Sequence, residues 1–388
     1  MPTLSVYRLH FHSGFHLGLR GVNPEESNVT IPSDTLFSAL VDGWRRLGGN
    51  VDAWLKPFLT DSPNPPFLLT SAFPFAGDAR FYPAPVNLHR LFSMHRKGKS
   101  LKRIRYISEQ LFVKALTGNA LDEWLPEEQN DLAGQATQQR AEPPGLFLQN
   151  GQLWLAREHE LEKLPGWIRF NNTQKRALRA LPLLALWEEG RVPRVTVDRI
   201  NSASTIFHVG QVRFAPQCGL WFGISWHQPA LHIDQTTTSY QESVASILAF
   251  LQDEGLGGVR SAGYGAFKFD GVAEELQLPA AQAGGPAWLL SRYHPRSHAE
   301  LAGLTGSNAA YRLTSVAGWL RSPDSTAQRR KRIYLLEEGS VVEATEGVMG
   351  DMTKVTPDYD SQAGRLPHEV YRAGFGLAIG MAKERAHG

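Results

Sequence analysis

Cysteine is nearly absent from this sequence, since Cys218 is the only one among 388 residues. A single thiol can form neither an intrachain disulfide nor a cysteine metal cluster, which fits a reducing compartment. Long apolar runs are also missing, because no stretch approaches the ~20 residues that span a bilayer. The strand-like N-terminus lacks the apolar core of a signal peptide. We therefore expect a soluble, cytoplasmic protein with no membrane association.

Motifs of several enzyme classes are missing as well. The sequence contains 13 histidines, but none has the HExxH spacing of a zinc protease. It has no G-x-S-x-G segment of a serine hydrolase and no carboxylate cluster typical of a two-metal nuclease. Residues 98–100 match the end of a P-loop, but Ser93 stands where that motif requires glycine. We expect no cofactor and no metal.

The composition is that of an ordinary globular protein, with 42% hydrophobic and 20% charged residues. At roughly 150 residues per domain, the length suggests two or three domains. The net charge of +2 does not indicate a nucleic-acid partner, but the distribution of charge matters more than the total. No acidic residue occurs between Asp78 and Glu109. That segment contains a possible basic strip for a phosphate backbone: Lys97, Lys99, Lys102, Arg103 and Arg105.

The alternative for this strip is an ordinary solvated surface, which most charge runs form. A shorter cluster, Arg329 to Arg332, is interpreted as solvated surface.

Hydrophobic periodicity predicts an α+β fold. Residues 5–11 alternate with period two, which predicts a strand. A helix is expected to begin at Ser33, whose side chain would cap the first turn, with Asp34 complementing the helix dipole. A loose-tipped β-hairpin is predicted at about 190–215. We divide the chain into an N-terminal domain (1–273), a linker (274–287) and a smaller C-terminal domain (288–388).

The glycine-rich segment 255–265 is the most informative part of the sequence. Its glycines permit positive φ angles and close backbone approach, so successive N–H groups could line an anion. Arg260 could pair with a phosphate, and Tyr264 could stack on a base. A Rossmann fingerprint is excluded, because this loop follows a predicted helix and precedes a strand. The alternative is a flexible turn whose glycines have no ligand.

Several segments resemble the RAMP proteins of CRISPR systems. Residues 255–267, GLGGVRSAGYGAF, resemble the glycine-rich loop of that superfamily. Residues 31–40, IPSDTLFSAL, resemble the first helix of the fourth subunit of type III-A (Csm) complexes, a Cas-five-like group. Further short matches to this family lie along the chain in the family's order, one of them before residue 31. They are 16–18, 81–85, 101–107, 193–199, 338–340 and 368–372. The stretch 120–165 has no clear counterpart and is expected to be an insertion.

The resemblance implies two ferredoxin-like (RRM-like) domains with antiparallel sheets and a thumb-like hairpin. It implies a non-catalytic scaffold that holds the 5′ handle of the crRNA and meets target RNA only indirectly. Its expected protein partners are the large palm-domain subunit and the backbone RAMP subunit, the third Csm subunit. The predicted RNA-binding residues are His16, Gly18, Ser33, Asp34, Thr35, Arg194, Thr196, Arg199, Gly257, Gly258, Arg260, Ser261, Gly263, Tyr264 and Gly265.

Three alternatives remain open. The first is a metal-independent RAMP endoribonuclease that processes precursor crRNA, with His10, His12 or His16 as general acid and base. The second is the equivalent scaffold subunit of a type III-B (Cmr) complex. The third is a module that contacts only protein.

We expect the N-terminus of the helix at Ser33 to lie beside the glycine-rich loop, and Arg194 and Arg199 to contact RNA near the handle–spacer junction.

Overall fold

The structure of this chain is a computed structural model. It describes residues 2–18, 25–92, 101–125, 144–173, 184–197, 204–234, 236–320, 328–359 and 365–382. The helices are α1 Ser33–Arg46, α2 Val51–Leu55, α3 Glu109–Leu116, α4 Gly166–Thr173, α5 Tyr240–Glu254 and α6 His298–Ala302. The first twelve strands are β1 Thr3–Phe11, β2 Phe67–Leu69, β3 Phe73–Ala76, β4 Ala79–Pro83, β5 Tyr106–Ser108, β6 Gly145–Leu148, β7 Leu153–Ala156, β8 Trp187–Val197, β9 Ser204–Phe214, β10 Cys218–Trp226, β11 Phe267–Phe269 and β12 Glu274–Gln277. The remaining strands are β13 Pro286–Leu289, β14 Leu313–Val316, β15 Trp319–Leu320, β16 Gln328–Arg329, β17 Ile333–Leu336, β18 Val341–Glu343, β19 Met352–Lys354, β20 Tyr371–Ala373 and β21 Ala378–Gly380.

A 10-stranded sheet organises the fold, with the strand order β11-β1-β10-β3-β4-β5-β7-β6 and with β2 and β12 beside β10 and β1. At one end of this sheet, the elements follow one another along the chain as β1, α1, then β2 with β3, then β10, α5 and β11. The spatial order β11-β1-β10-β3 is the one that a βαββαβ ferredoxin-like unit adopts. The predicted mixed α+β class is confirmed, whereas the presence of two ferredoxin-like domains stays a prediction.

Helices α1 and α5 pack together over one face of this sheet. Gly43 of α1 lies against Ile247 of α5, because a Cβ atom at Gly43 would come within 2.7 Å of the isoleucine Cγ2. Helix α5 begins with a capping box, in which Ser239 and Glu242 bond each other's backbone N–H groups. It ends at Gly255, which has φ +79°. The predicted helix that stops at this glycine is therefore confirmed, and it fixes where the glycine-rich loop starts.

The predicted hairpin is confirmed as β8 and β9, which pair in register from Trp187↔Phe214 to Val197↔Ser204. Its tip, 198–203, lies outside the described residues, and so does Arg199. The root is tied to the segment after β1, because the backbones of Phe15 and Val212 exchange two hydrogen bonds of 2.8 Å. The hairpin therefore projects from the end of β1 that is closest to the glycine-rich loop.

Two predicted connecting regions are partly strands. Within the predicted insertion, β6 and β7 form an antiparallel pair, and β7 joins the central sheet beside β5. The predicted linker 274–287 is corrected at both ends, since β12 and the start of β13 lie in it. Strand β11 covers only the last residues of β1, so the edge from Thr3 to Val6 is left for β12 to pair with.

The C-terminal part contains a three-stranded sheet of order β18-β13-β21 and several two-stranded ribbons. Trp288 is fully buried and meets Phe112 of α3 edge to face, with ring centroids 4.9 Å apart. Buried residues from both predicted domains thus form one hydrophobic cluster. The exact domain boundary stays a prediction.

No helix in the described part of the chain has the length and apolarity to cross a membrane.

Candidate nucleic-acid interface

The glycine-rich loop forms an exposed turn on a strained backbone. Arg260, Ser261 and Ala262 make one 3-10 turn and are exposed. Val259 before it has φ +59° and Gly263 after it has φ +79°. A β-branched residue rarely adopts a left-handed conformation, and such strain is concentrated at functional sites. The turn therefore presents Arg260 and Ser261 to solvent, as the sequence predicts.

Most of the loop glycines make contacts within the protein. The prediction that their N–H groups line an anion is therefore corrected. The N–H of Gly258 donates to the carbonyl of His16 at 2.7 Å, and that of Gly265 donates to Gly14 at 2.8 Å. A Cβ atom at Gly257 would lie 2.3 Å from the oxygen of His16. These glycines are needed because the loop packs directly on the backbone after β1.

Tyr264 is buried, so the prediction that it stacks on a base is wrong. Its side chain is 6% exposed, and the guanidinium of Arg194 lies over its ring at 5.4 Å. This cation–π contact places the hairpin beside the loop. The Nε atom of Arg194 is buried without a hydrogen-bond partner. Thr196, two residues further along the same strand, is exposed.

His16 joins the hairpin to the loop. Its Nδ1 donates to the carbonyl of Gly210 in β9 at 2.8 Å, since a carbonyl oxygen can only accept. Its ring also packs on Gly258, and its side chain is buried. The structure therefore brings His16, Arg194 and the loop together, but His16 is buried and fixes their positions, so it is not an exposed contact.

The N-terminus of α1 lies elsewhere than predicted. The loop meets the other half of this helix, where Arg260 Nη2 lies 3.7 Å from Asp42. Eight residues separate Asp34 from Asp42, which is about 12 Å along an α-helix. The expectation that the helix N-terminus and the loop lie side by side is therefore wrong.

The expected cap at Ser33 is wrong as well. The N-cap is Pro32, which makes no side-chain cap. Ser33 instead accepts a hydrogen bond from the backbone of Arg292 at 2.9 Å and donates its own N–H to Ser71 at 2.8 Å. Asp34 is buried and pairs with Arg372 of β20 at 3.4 Å. Both residues therefore hold the C-terminal part in place, and neither is free to contact RNA.

A large cleft opens at this helix N-terminus and was not predicted. It has a volume of about 1340 Å³ and is lined by Gly18 and Thr35 together with residues from both halves of the chain. Its charged lining is mostly cationic: Lys102, Arg105, Arg292, Arg312, Arg330 and Arg372, against Asp34, Glu337 and Glu338. Leu17 and Gly18 line the cleft and follow directly on His16, so the segment that packs against the loop leads along the chain into the cleft. Single-stranded nucleic acid is held in grooves of this charge.

The predicted basic strip contributes only in part to this cleft. Lys102 and Arg105 line it. Arg103 lies against Gly151 instead, and Lys97 and Lys99 lie outside the described residues. The interpretation of Arg329 to Arg332 as mere solvated surface is wrong for Arg330, which lines the cleft.

Three arginines of the cleft differ in their electrostatic surroundings. Burial disfavours the charge of Arg292, but the carboxylates of Glu338, Asp34 and Glu337 outweigh it and raise its pKa. Burial and the neighbouring charge of Arg372 lower the pKa of Arg330 to about 10. The Arg372 guanidinium is held by Asp34 and by Ser38, at 2.8 Å from its hydroxyl. Of these three, Arg330 has the least compensated charge.

The histidines considered for catalysis have separate partners. His10 Nε2 lies 3.0 Å from Asp270, and its ring meets Phe75 edge to face. His16 is bound to Gly210 and buried. His12 is exposed. In the described ranges, no group of three or more His, Cys, Asp or Glu side chains could hold a metal ion.

Known proteins resemble both parts of this chain. A model of the CRISPR Csm4 C-terminal domain matches residues 282–381. The CRISPR system protein Csm4 of Thermococcus onnurineus strain NA1 is 26% identical over 190 residues, which are 49% of this chain and 53% of that protein. The match therefore spans about half of the length of this curated relative.

Solved structures extend the likeness to the whole fold. The structure of a Csm3–Csm4 subcomplex of a type III-A interference complex aligns with a TM-score of 0.59 at 16% identity, covering 99% of this chain and 100% of that chain. A Csm1–Csm4 cassette in complex with pppApA aligns with a TM-score of 0.51 at 17% identity and the same coverage. At these identities the alignments show a common fold.

The chain thus shares its overall fold with a chain of each of these two CRISPR assemblies. The matched C-terminal domain and the curated relative add a sequence resemblance to Csm4. This chain is therefore similar to Csm4 proteins, and its residues 282–381 match the model of the Csm4 C-terminal domain. This confirms the resemblance seen in the sequence.

Proposed function

We propose that this chain is the RNA-binding scaffold subunit of a type III-A effector complex, which holds the 5′ handle of the crRNA and does not catalyse a reaction. The observation that carries the proposal is that residues 16–18 link the two cationic features: His16 packs on the loop of the exposed Arg260 turn, and Leu17 and Gly18 line the cationic cleft. Cations along one groove neutralise successive phosphates of a single strand.

The handle RNA contacts Arg260 and Ser261 at the turn and Thr196 on the hairpin, and then follows the cleft past Gly18 and Thr35. Arg194 supports the turn, because its guanidinium lies over the ring of Tyr264. The RNA reaches the handle–spacer junction near the described hairpin arm, where pushing one base out of the stack would cost a few kcal/mol.

The expected partners are the large palm-domain subunit and the backbone RAMP subunit. Relatives of the same fold were solved as a Csm1–Csm4 cassette and as a Csm3–Csm4 subcomplex, which supports docking of the corresponding two subunits here. Target RNA is contacted only through the assembled particle. Docking of these two subunits is expected to hold this chain in the complex so that the turn and the cationic cleft face the crRNA handle.

Replacing Arg260 with alanine should weaken handle binding by about 1–3 kcal/mol. Among the described residues, the exposed guanidinium has only the Asp42 carboxylate as an ion-pair partner, at 3.7 Å, so most of its charge is available to a phosphate. The measurement is the affinity of the full chain for a fluorescent handle RNA at several salt concentrations. The slope of log affinity against log salt should fall by about one.

The matched control is Lys56→Ala, which removes an exposed cation that lies outside the loop and the cleft. It should leave both the affinity and the salt slope unchanged. Unchanged binding by the Arg260 variant would contradict the proposed role. RNA should be recovered intact from these metal-free reactions, whereas cleavage of repeat RNA would favour the endoribonuclease alternative.

A further inference from the structure

Arg330 is a partly buried arginine without a counter-ion. It lines the cleft, and its Nε atom is shielded from solvent without a hydrogen-bond partner. In the part of the chain that the structure describes, no carboxylate lies within salt-bridge distance of it. Buried charges are normally paired, so the position of this guanidinium favours an anion supplied from outside the chain.

Arg372 and the N-terminus of α1 face the same cleft. Arg372 is 6% exposed, and its Nη1 donates to the backbone oxygen of Asp34 at 3.0 Å and to Ser38. Its Nε is buried without a partner. The dipole of this 14-residue helix adds a partial positive charge at the same end, where the N–H of Ser33 is already bound to Ser71. The buried carboxylate at this place, Asp34, is already paired with Arg372 at 3.4 Å.

We infer that Arg330, together with Arg372 and the N-terminus of α1, forms a binding site for a phosphate group of single-stranded RNA. This inference rests on the proposed function and names the chemistry that the cleft recognises. A phosphate provides several acceptor oxygens and a negative charge, and an arginine fork pairs with it bidentately. It would thereby supply the missing counter-ion of Arg330.

An RNA strand suits the cleft better than a small free anion does. Pockets for small ligands enclose roughly 300–1,000 Å³, and this cleft encloses about 1340 Å³. Residues 16–18 also connect it to the loop, since His16 packs on Gly258 and Leu17 and Gly18 line the cleft, and an extended strand suits this arrangement better than a single small anion. The phosphate could be a diester within the strand or a monoester at its 5′ end.

The test compares Arg330→Gln with Arg329→Gln in the full chain. Arg329 is the adjacent arginine, but its guanidinium lies over Trp319 at 4.9 Å and it does not line the cleft. Both variants remove one charge. The Arg330 variant should fold, because it removes a repulsion from Arg372. The first measurement is the thermal midpoint during titration with pyrophosphate, which stabilises a native state that binds it.

Pyrophosphate should raise the midpoint of the unaltered chain and of Arg329→Gln but not of Arg330→Gln. The second measurement is the affinity for handle RNA with a 5′-hydroxyl or a 5′-phosphate, which only Arg330→Gln should weaken, by about tenfold. Equal weakening for both RNAs assigns the site to an internal diester. Weakening only for the phosphorylated RNA assigns it to the 5′ end.

An equal response of the two variants to pyrophosphate would overturn the inference. It would also be overturned if Arg330→Gln impaired only assembly with the other subunits, since the counter-ion would then be an acidic protein group. If the unaltered chain bound no RNA but the pyrophosphate effect depended on Arg330, the phosphate site would stand and the proposed function would fail. The two proposals are thus separable.

Discussion

Replacing Arg372 with alanine is expected to lower the free energy of unfolding by about 3–5 kcal/mol, the usual cost of removing one partner of a buried ion pair. The side chains of Arg372 and Asp34 are 6% and 3% exposed. Without the arginine, the Asp34 carboxylate stays buried at the start of α1 and loses its salt bridge. The hydrogen bonds of Nη1 to Asp34 and Ser38 are lost as well. Urea denaturation followed by tryptophan fluorescence measures the change.

Arg45→Ala is the matched control, because it breaks an Arg–Asp pair on the same helix that is exposed. The Arg45–Asp42 distance is 2.9 Å, and the side chains are 48% and 35% exposed. Exposed pairs contribute little, so the loss should stay within about 0.5 kcal/mol. The double variant Asp34→Asn, Arg372→Met should recover part of the lost stability, since no charge is left buried alone. Equal losses for the two single arginine variants would contradict this account.

Replacing Gly257 with alanine is expected to have the second largest effect, on both stability and RNA binding. Gly257 has φ +92°, and a Cβ there would lie 2.3 Å from the backbone oxygen of His16. The left-handed backbone costs an alanine about 1–2 kcal/mol, and steric overlap adds typically about 1–3 kcal/mol. The segment after β1 must then move, which disturbs the support of the exposed turn.

Gly263→Ala separates the two causes. Gly263 has φ +79° but nothing lies within 4 Å of its Cβ position, so only the backbone cost of about 1–2 kcal/mol applies. Thermal denaturation should rank the variants in the order unaltered, Gly263→Ala, Gly257→Ala. Handle affinity should fall at least about tenfold more for Gly257→Ala. If both variants lost equal stability and equal affinity, packing of the loop on His16 would not be what positions the turn.

Local features of the sequence predict much of this structure. The hairpin follows from two β-rich arms around a polar tip, and it is found at 187–214 close to the predicted 190–215. The end of α5 follows from Gly255, whose positive φ stops the helix. The exposed Arg260 turn lies where the glycines predict it. In each case the signal and the structure depend on the same few neighbouring residues.

Tertiary contacts explain what the sequence did not show. A serine before a periodic apolar run normally indicates a helix cap, but Ser71 and Arg292 occupy both polar groups of Ser33. Tyr264 was expected at the surface, but the hairpin covers it.

The cleft was missed for a related reason. Its cations come from segments as distant as Lys102, Arg292 and Arg372. The absence of acidic residues between Asp78 and Glu109 was the one available signal. A run of charges does not show which of its members point into a groove, since that depends on how the C-terminal part packs on α1.

Photo-crosslinking tests most directly whether this chain holds the handle. The assembled complex is reconstituted with a crRNA that carries 4-thiouridine at single handle positions, and crosslinked peptides are identified by mass spectrometry. We predict crosslinks to the exposed turn at 259–263 and to the cleft segment at 101–106. Handle crosslinks that fall only on other subunits, or on surfaces of this chain away from the turn and the cleft, would contradict the proposed role.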